Sequence, residues 1–139
     1  MVKASASLLF DNPAGQLLAD PAGFIQLRWA ATPRTLADTQ ALLTHLASAF
    51  RQRGTGKALA YQVDMHPFSP AEQAWIMQEW LPTAVRESGY RYGAIVVSAD
   101  IYARLATAFI TTNVQGLPLR YRSFDDEATA TAWLRQQPG

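Results

Sequence analysis

The chain has 139 residues, 49% hydrophobic and 17% charged, with 12 basic against 11 acidic side chains and a formal net charge of +1. That length fits one domain spanning 1–139 with one sizeable core. The composition argues against extended disorder, and the charge balance gives no electrostatic reason to expect nucleic acid. There is no cysteine, which excludes disulfides, a thiol nucleophile and Cys-ligated zinc.

No stretch approaches the roughly 20 apolar residues of a membrane span. Lys3 has no long apolar run behind it, which argues against a signal peptide. A cytoplasmic domain is the expectation.

Ser7 to Asp11 is a short apolar run that ends at the turn residues Asn12 to Gly15. Gln16 to Ala19 follows, then a second turn at Asp20 to Gly23. Phe24 to Trp29 alternates imperfectly. Three short strands joined by tight turns predict an antiparallel meander. The period then changes. Thr35 can cap a helix whose face holds Leu36, Leu43, Leu46, Ala47 and Phe50, with Leu42 at the margin. Gly54 to Gly56 ends it, with Arg51 and Arg53 near its negative end.

Ala58 to Val63 is the next strand, and a second helix runs from about Ser69 to Glu87, stopping at Ser88 and Gly89. Tyr92 to Val97 is nearly all apolar, as expected of a strand buried on both faces. Asp100 caps a third helix with a core stripe of Ile101, Leu105, Ala108 and Phe109. Asn113 to Gly116 form a loop. Leu119 to Phe124 alternates and predicts a strand with one solvated face. Asp125 or Asp126 starts a last helix holding Ala128, Ala132, Trp133 and Leu134. The order βββαβαβαβα predicts an α/β fold: a single mixed β-sheet, an N-terminal antiparallel meander then parallel strands, flanked by about four helices. Only the first five or so residues and Gln136 to Gly139 are expected to be loose.

Ser69, Pro70 and Glu72 form the sharpest local signal. Ser at the cap, Pro at the first helical position and Glu three residues on make a capping box. A strand end feeding a helix N-terminus is also where α/β sheets place sites, and a phosphoryl group on Ser69 would be electrostatically favoured there. Asp64 and His66 stand at the same strand end and could do acid–base work, or could be a turn Asp and a surface His. A pocket at this edge would be lined by Asp64, His66, Phe68, Trp75 and Ser98.

The helix after Ser69 is apolar nearly all round. Ala71, Ala74, Met77, Leu81, Ala84 and Val85 share the expected core face, with Trp75 at its margin. Ile76 and Trp80 project to roughly the opposite side by the 100° step per residue. They mark an interaction surface, covered either by a loop of the same chain or by a partner. Pro82 removes one helical hydrogen bond and predicts a kink or restart near Trp80.

Common catalytic and cofactor motifs are missing from the sequence. There is no Walker-type loop, no dinucleotide fingerprint and no nucleophile elbow. Gly54 to Lys57 follows a helix and precedes a strand, the reverse of a phosphate loop. Two histidines without cysteine make no zinc site. No cofactor and no enzymatic activity are expected.

Ala74 to Pro82, then Gly89 to Val97, then Arg122 to Asp125 and Ala132 to Leu134 together resemble small bacterial STAS-like proteins of the SpoIIAA-like fold, which share a STAS/SEC14-type architecture. The resemblance covers about Phe24 to Leu134 in element order. It implies a mixed sheet with helices packed against it. For function it implies protein–protein contact, as in anti-anti-sigma factors and transporter tails, or, on the SEC14 side, a lipophilic ligand held between helix and sheet. Ser69 occupies a place similar to the serine that some STAS domains phosphorylate, but the family's phosphorylation motif is absent, and that role is not carried over.

Two readings follow. One is a non-enzymatic regulatory or interaction domain, probed by a protein partner or a homodimer through Ile76 and Trp80. The other is a domain for a small apolar ligand, with Asp64, His66, Phe68, Ser69 and Trp75 as its binding residues.

Overall fold

A computed structural model of the chain describes residues 5–113 and 116–139. Six strands form one sheet in sequence order: β1 (Ser7–Asn12), β2 (Gly15–Ala19), β3 (Ile25–Trp29), β4 (Lys57–Tyr61), β5 (Tyr92–Val96) and β6 (Arg120–Phe124). The first three pair antiparallel, and β3 to β6 pair parallel. The α/β class and the passage from meander to parallel strands are as the sequence predicts. The helices are α1 (Leu36–Arg53), α2 (Pro70–Trp75), a π-helical turn (Ile76–Trp80), α3 (Leu81–Ser88), α4 (Ile101–Thr112) and α5 (Glu127–Gln136). Met1 to Ala4, expected to be loose, and Val114 and Gln115 of the expected loop lie outside the described residues.

Each parallel crossover steps one strand further in the same direction. Right-handed crossovers then place all the crossover helices on one face of the sheet, and the helix after β6 can cover the other. The core divides in that way. On one face, Leu27, Trp29 and Ala58 meet Leu43 and Leu46 of α1, Ile76 and Trp80 of the π turn, and Ala106 and Ile110 of α4. On the other, Leu59, Ala94 and Val96 meet Ala130 and Leu134 of α5. Neighbours Ala58 and Leu59 in β4 point to opposite layers, as the two-residue period of a strand requires.

Local chemistry sets the helix ends. Thr35 caps α1 with a reciprocal box to Asp38, and Gly54 closes it at φ 64°, a left-handed position that favours glycine. Asp100 and Asp126 cap α4 and α5. β1 is an edge strand, and its pairing shifts register between Leu8 and Phe10, which bends the edge away from further pairing.

Two expectations are corrected. On α4 the buried residues are Ala103, Ala106, Thr107 and Ile110. Ile101, Leu105 and Phe109, expected in the core, are 62%, 60% and 48% exposed, Ala108 of the same expected stripe is exposed as well, and Tyr102 is 71% exposed. The helix is apolar on several sides, so periodicity offers more than one candidate face. The small side chains of Ala103 and Ala106, with the hydroxyl of Thr107, make the face that packs.

The second correction concerns Ile76 and Trp80. Both are buried, at 5% and 8% exposure, and belong to the main core. The π turn explains the difference. The N–H of Leu81 donates to the carbonyl of Ile76, five residues back, one residue more than in an α-helix. Glu72, Ile76, Trp80, Ala84 and Ser88 are all buried at four-residue intervals. In a straight α-helix such a repeat drifts by about 40° per step, and the extra residue in the π turn cancels much of that drift. The expected restart near Trp80 is present, since α3 begins at Leu81 with Pro82 in its first turn.

Candidate functional site

The turn from Asp64 to Ser69 is held from behind by Arg34, a residue in the segment before α1. Its guanidinium donates to Glu72 through Nε at 2.7 Å and Nη2 at 3.1 Å, to the carbonyl of His66 at 3.1 Å and to that of Pro67 at 3.3 Å. Both side chains of the pair are almost fully buried, at 3% and 6% exposure. Thr39 Oγ1 and the Ser69 N–H also donate to the Glu72 carboxylate. Burial alone would raise the Glu72 pKa. The hydrogen bonds from Arg34, Ser69 and Thr39 outweigh it and hold the carboxyl below its ordinary 4.5. This network commits both Arg34 and Glu72 to holding the turn.

The five ligand residues expected from the sequence therefore do not converge. Asp64 and His66 have exposed side chains, and the Ser69 hydroxyl is committed to capping the Glu72 N–H at 3.1 Å. His66 and Ser69 border only a surface recess with Arg34 and Glu72. Trp75 packs against the main core from its margin. Ser98 donates to the Val63 carbonyl and accepts from the Asp100 N–H, which orders the entrance to α4. Phe68 is different: it is buried and lines a cavity.

That cavity, of about 50 Å³, lies between the sheet and the helices of the larger core layer. Its floor is Leu27, Trp29, Ala58, Ala60, Gln62 and Ile95, and its roof includes Leu46 of α1, Ile76 and Trp80 of the π turn, and Thr107 and Ile110 of α4. Small residues in the floor leave the space: Ala58 and Ala60 stand where larger side chains would fill it. Tyr90 and Tyr121 close one end. They fit because residue 93 is glycine; a Cβ there would sit 2.5 Å from the Tyr90 Oη and collide with the Tyr121 ring. Ile76 and Trp80 thus serve as cavity wall, and the Trp80 Nε1 donates to the Leu43 carbonyl at 2.7 Å.

Four polar elements punctuate this wall. Thr107 Oγ1 donates to Gln62 Oε1 at 2.8 Å, a buried pair that ties α4 to the end of β4. Burial, with Tyr121 beside it, pushes the Tyr90 phenol well above its ordinary value. Burial pushes Tyr121 up to about 12. Both phenols are therefore neutral hydrogen-bonding groups at physiological pH and supply no acid–base pair. The fourth element is Trp29. It is 6% exposed, packs edge-on to Phe68 at 5.1 Å and lies under the Arg34 guanidinium at 5.2 Å. Its Nε1 is the one buried side-chain nitrogen or oxygen among the described residues with no hydrogen-bond partner.

Sequence reasoning missed Trp29, Arg34, Gln62, Thr107 and Tyr121. Two signals were present: Gln62 directly after β4, and the small residues Ala58 and Ala60 alternating on one face of β4. Among the described residues no group of three or more His, Cys, Asp or Glu side chains could hold a metal ion, and no helix is long and apolar enough to cross a membrane. The space is apolar, with Trp29, two neutral phenols and a side-chain amide among its lining residues, and no nucleophile paired with a base lines it. Comparison with protein-family models, with curated proteins and with solved structures gave no match.

Proposed function

We propose that this chain is a non-enzymatic binding domain that holds a small apolar molecule between the sheet and the helices of its larger core layer. The observation that carries the reading is the apolar space itself, which has among its lining residues Trp29, whose buried Nε1 has no hydrogen-bond partner. A buried donor without a partner costs about 1–3 kcal/mol, and an occupant with one acceptor atom removes that cost. Apolar walls with a few placed polar groups are the ordinary form of a small-molecule site. The volume suits the end of a narrow chain rather than a bulky lipid. The resemblance to STAS/SEC14-like domains of SpoIIAA-like fold is part of this proposal, because the SEC14 side of that comparison implies a ligand between helix and sheet.

Calorimetric titration with 1-decanol tests it. The expected result is saturable binding at one site per chain, weakened about five-fold in Trp29→Phe, which removes a neutral hydrogen bond worth roughly 1 kcal/mol. Absence of saturable heat with the wild-type protein would refute the reading.

A second reading, self-association, has an observation of its own. Ile101, Tyr102, Leu105 and Phe109 leave an apolar row exposed along α4, and such patches mark contact surfaces. A second copy is one occupant this row fits: its only charged side chain is Arg104, and a net charge of +1 opposes pairing weakly. Sedimentation velocity at rising concentration is expected to show a dimer that Leu105→Glu abolishes, with a stability change within about 0.5 kcal/mol at this exposed position. A single monomeric species at all concentrations would remove this reading and leave the first intact.

A further inference from the structure

Beside the cavity a groove of about 550 Å³ runs along α4. Val97, Ile101, Leu105 and Ala108 give it an apolar wall, and Arg104 is the only ionisable residue in its lining. Arg104 is exposed, and among the described residues it has no carboxylate within salt-bridge distance and makes no side-chain hydrogen bond. Gln62, Thr107 and Thr111 line both the groove and the cavity. The hydrogen bond between Thr107 and Gln62 therefore stands in the partition between the two spaces.

We infer that groove and cavity are adjoining parts of one site for a single-chain amphipathic monocarboxylate. Its carboxylate pairs with Arg104, its chain lies along Leu105 and Ala108, and its end reaches Thr111, which lines both spaces. The inference rests on the cavity reading above and adds the class of ligand. Charge selects the head group: an unpaired guanidinium beside an apolar trough fits a carboxylate, which it can hold with paired N–H donors. Length selects the tail. From Arg104 to Thr111 the helix rises about 10 Å at 1.5 Å per residue, which is the span of roughly eight extended methylene groups. Burial accounts for the remainder, since a chain in the groove covers apolar surface of Leu105 and Ala108 that is now in water.

The two parts separate experimentally by comparing decanoate with 1-decanol at pH 8, both below their aggregation limits, in the wild-type protein and in Arg104→Gln. The expected result is that decanoate binds the wild type about five-fold more tightly than decanol, the size of an exposed ion pair near the upper end of its range. Arg104→Gln should bring the two affinities together without changing that for decanol, and Arg104→Lys should keep most of the preference. Equal binding of the two ligands by the wild type, or a preference that survives Arg104→Gln, would overturn the carboxylate assignment while the cavity reading stands. Failure of both ligands to bind the wild type would overturn both. Arg104-dependent capture by phosphatidylglycerol vesicles, with no binding of free decanoate, would identify a membrane head group as the anion and overturn the free-ligand assignment.

Discussion

Arg34 and Glu72 decide what the strand-to-helix corner can be. A carboxylate and a guanidinium with three partner residues each, both almost dry, are committed to structure. Removing one member of a buried pair strands the other, at a cost of about 3–5 kcal/mol. Arg34→Met and Glu72→Gln are therefore each expected to lower the unfolding free energy by that order, measured by urea denaturation. The pH dependence follows from the direction of the Glu72 shift. Its folded pKa lies below its ordinary 4.5. Its contribution is thus complete above about that pH and is lost as pH falls through the lower folded value. Between neutrality and pH 4.5 the pair should hold, and below that range the wild type should lose stability more steeply than Glu72→Gln. Equal slopes would mean that the carboxylate is not depressed. Ser69 and Glu72 were legible as a capping box because that motif is local. Arg34 was not, since its partners lie 32 to 38 residues away in sequence.

At the scale of elements, the helical segment between β4 and β5 shows where periodicity misleads. A fixed 100° step sends Ile76 and Trp80 to the outside, and the π turn brings them in. Pro82 signalled an interruption, but not that the helix would gain a residue in the preceding turn. The period-four series from Glu72 to Ser88 contains that information, because one face keeps such a series only if the helix is locally underwound. Deletion tests this directly. Removing exposed Gln78 from the π turn should convert it to α-helix and leave the two flanks in phase. Removing exposed Thr83 from α3 should rotate Ala84, Val85 and Ser88 by about 100° out of the core. The Thr83 deletion is expected to lower the thermal midpoint much more than the Gln78 deletion, and equal effects would contradict the phase argument. α4 carries the complementary lesson. With apolar residues on several faces, side-chain size and the Thr107–Gln62 bond choose the packed side, and neither is visible to a hydrophobic pattern.

For the whole molecule, the mixed sheet was readable: short turns make the meander, and alternating units make the parallel half. The division into two layers follows from crossover handedness. The cavity was not readable, since it depends on small residues in the floor, Ala58 and Ala60, facing helices whose placement only the packed structure gives. The central claim is that this space receives an apolar molecule at the Trp29 N–H. Proton–nitrogen correlation spectra of the four indole groups, titrated with 1-decanol, test it most directly. The expected result is a saturable downfield shift of the one indole signal that Trp29→Phe removes, with the signal of Trp133, on the opposite layer of the sheet, unmoved. No shift at Trp29, or equal small shifts in all four, would contradict it.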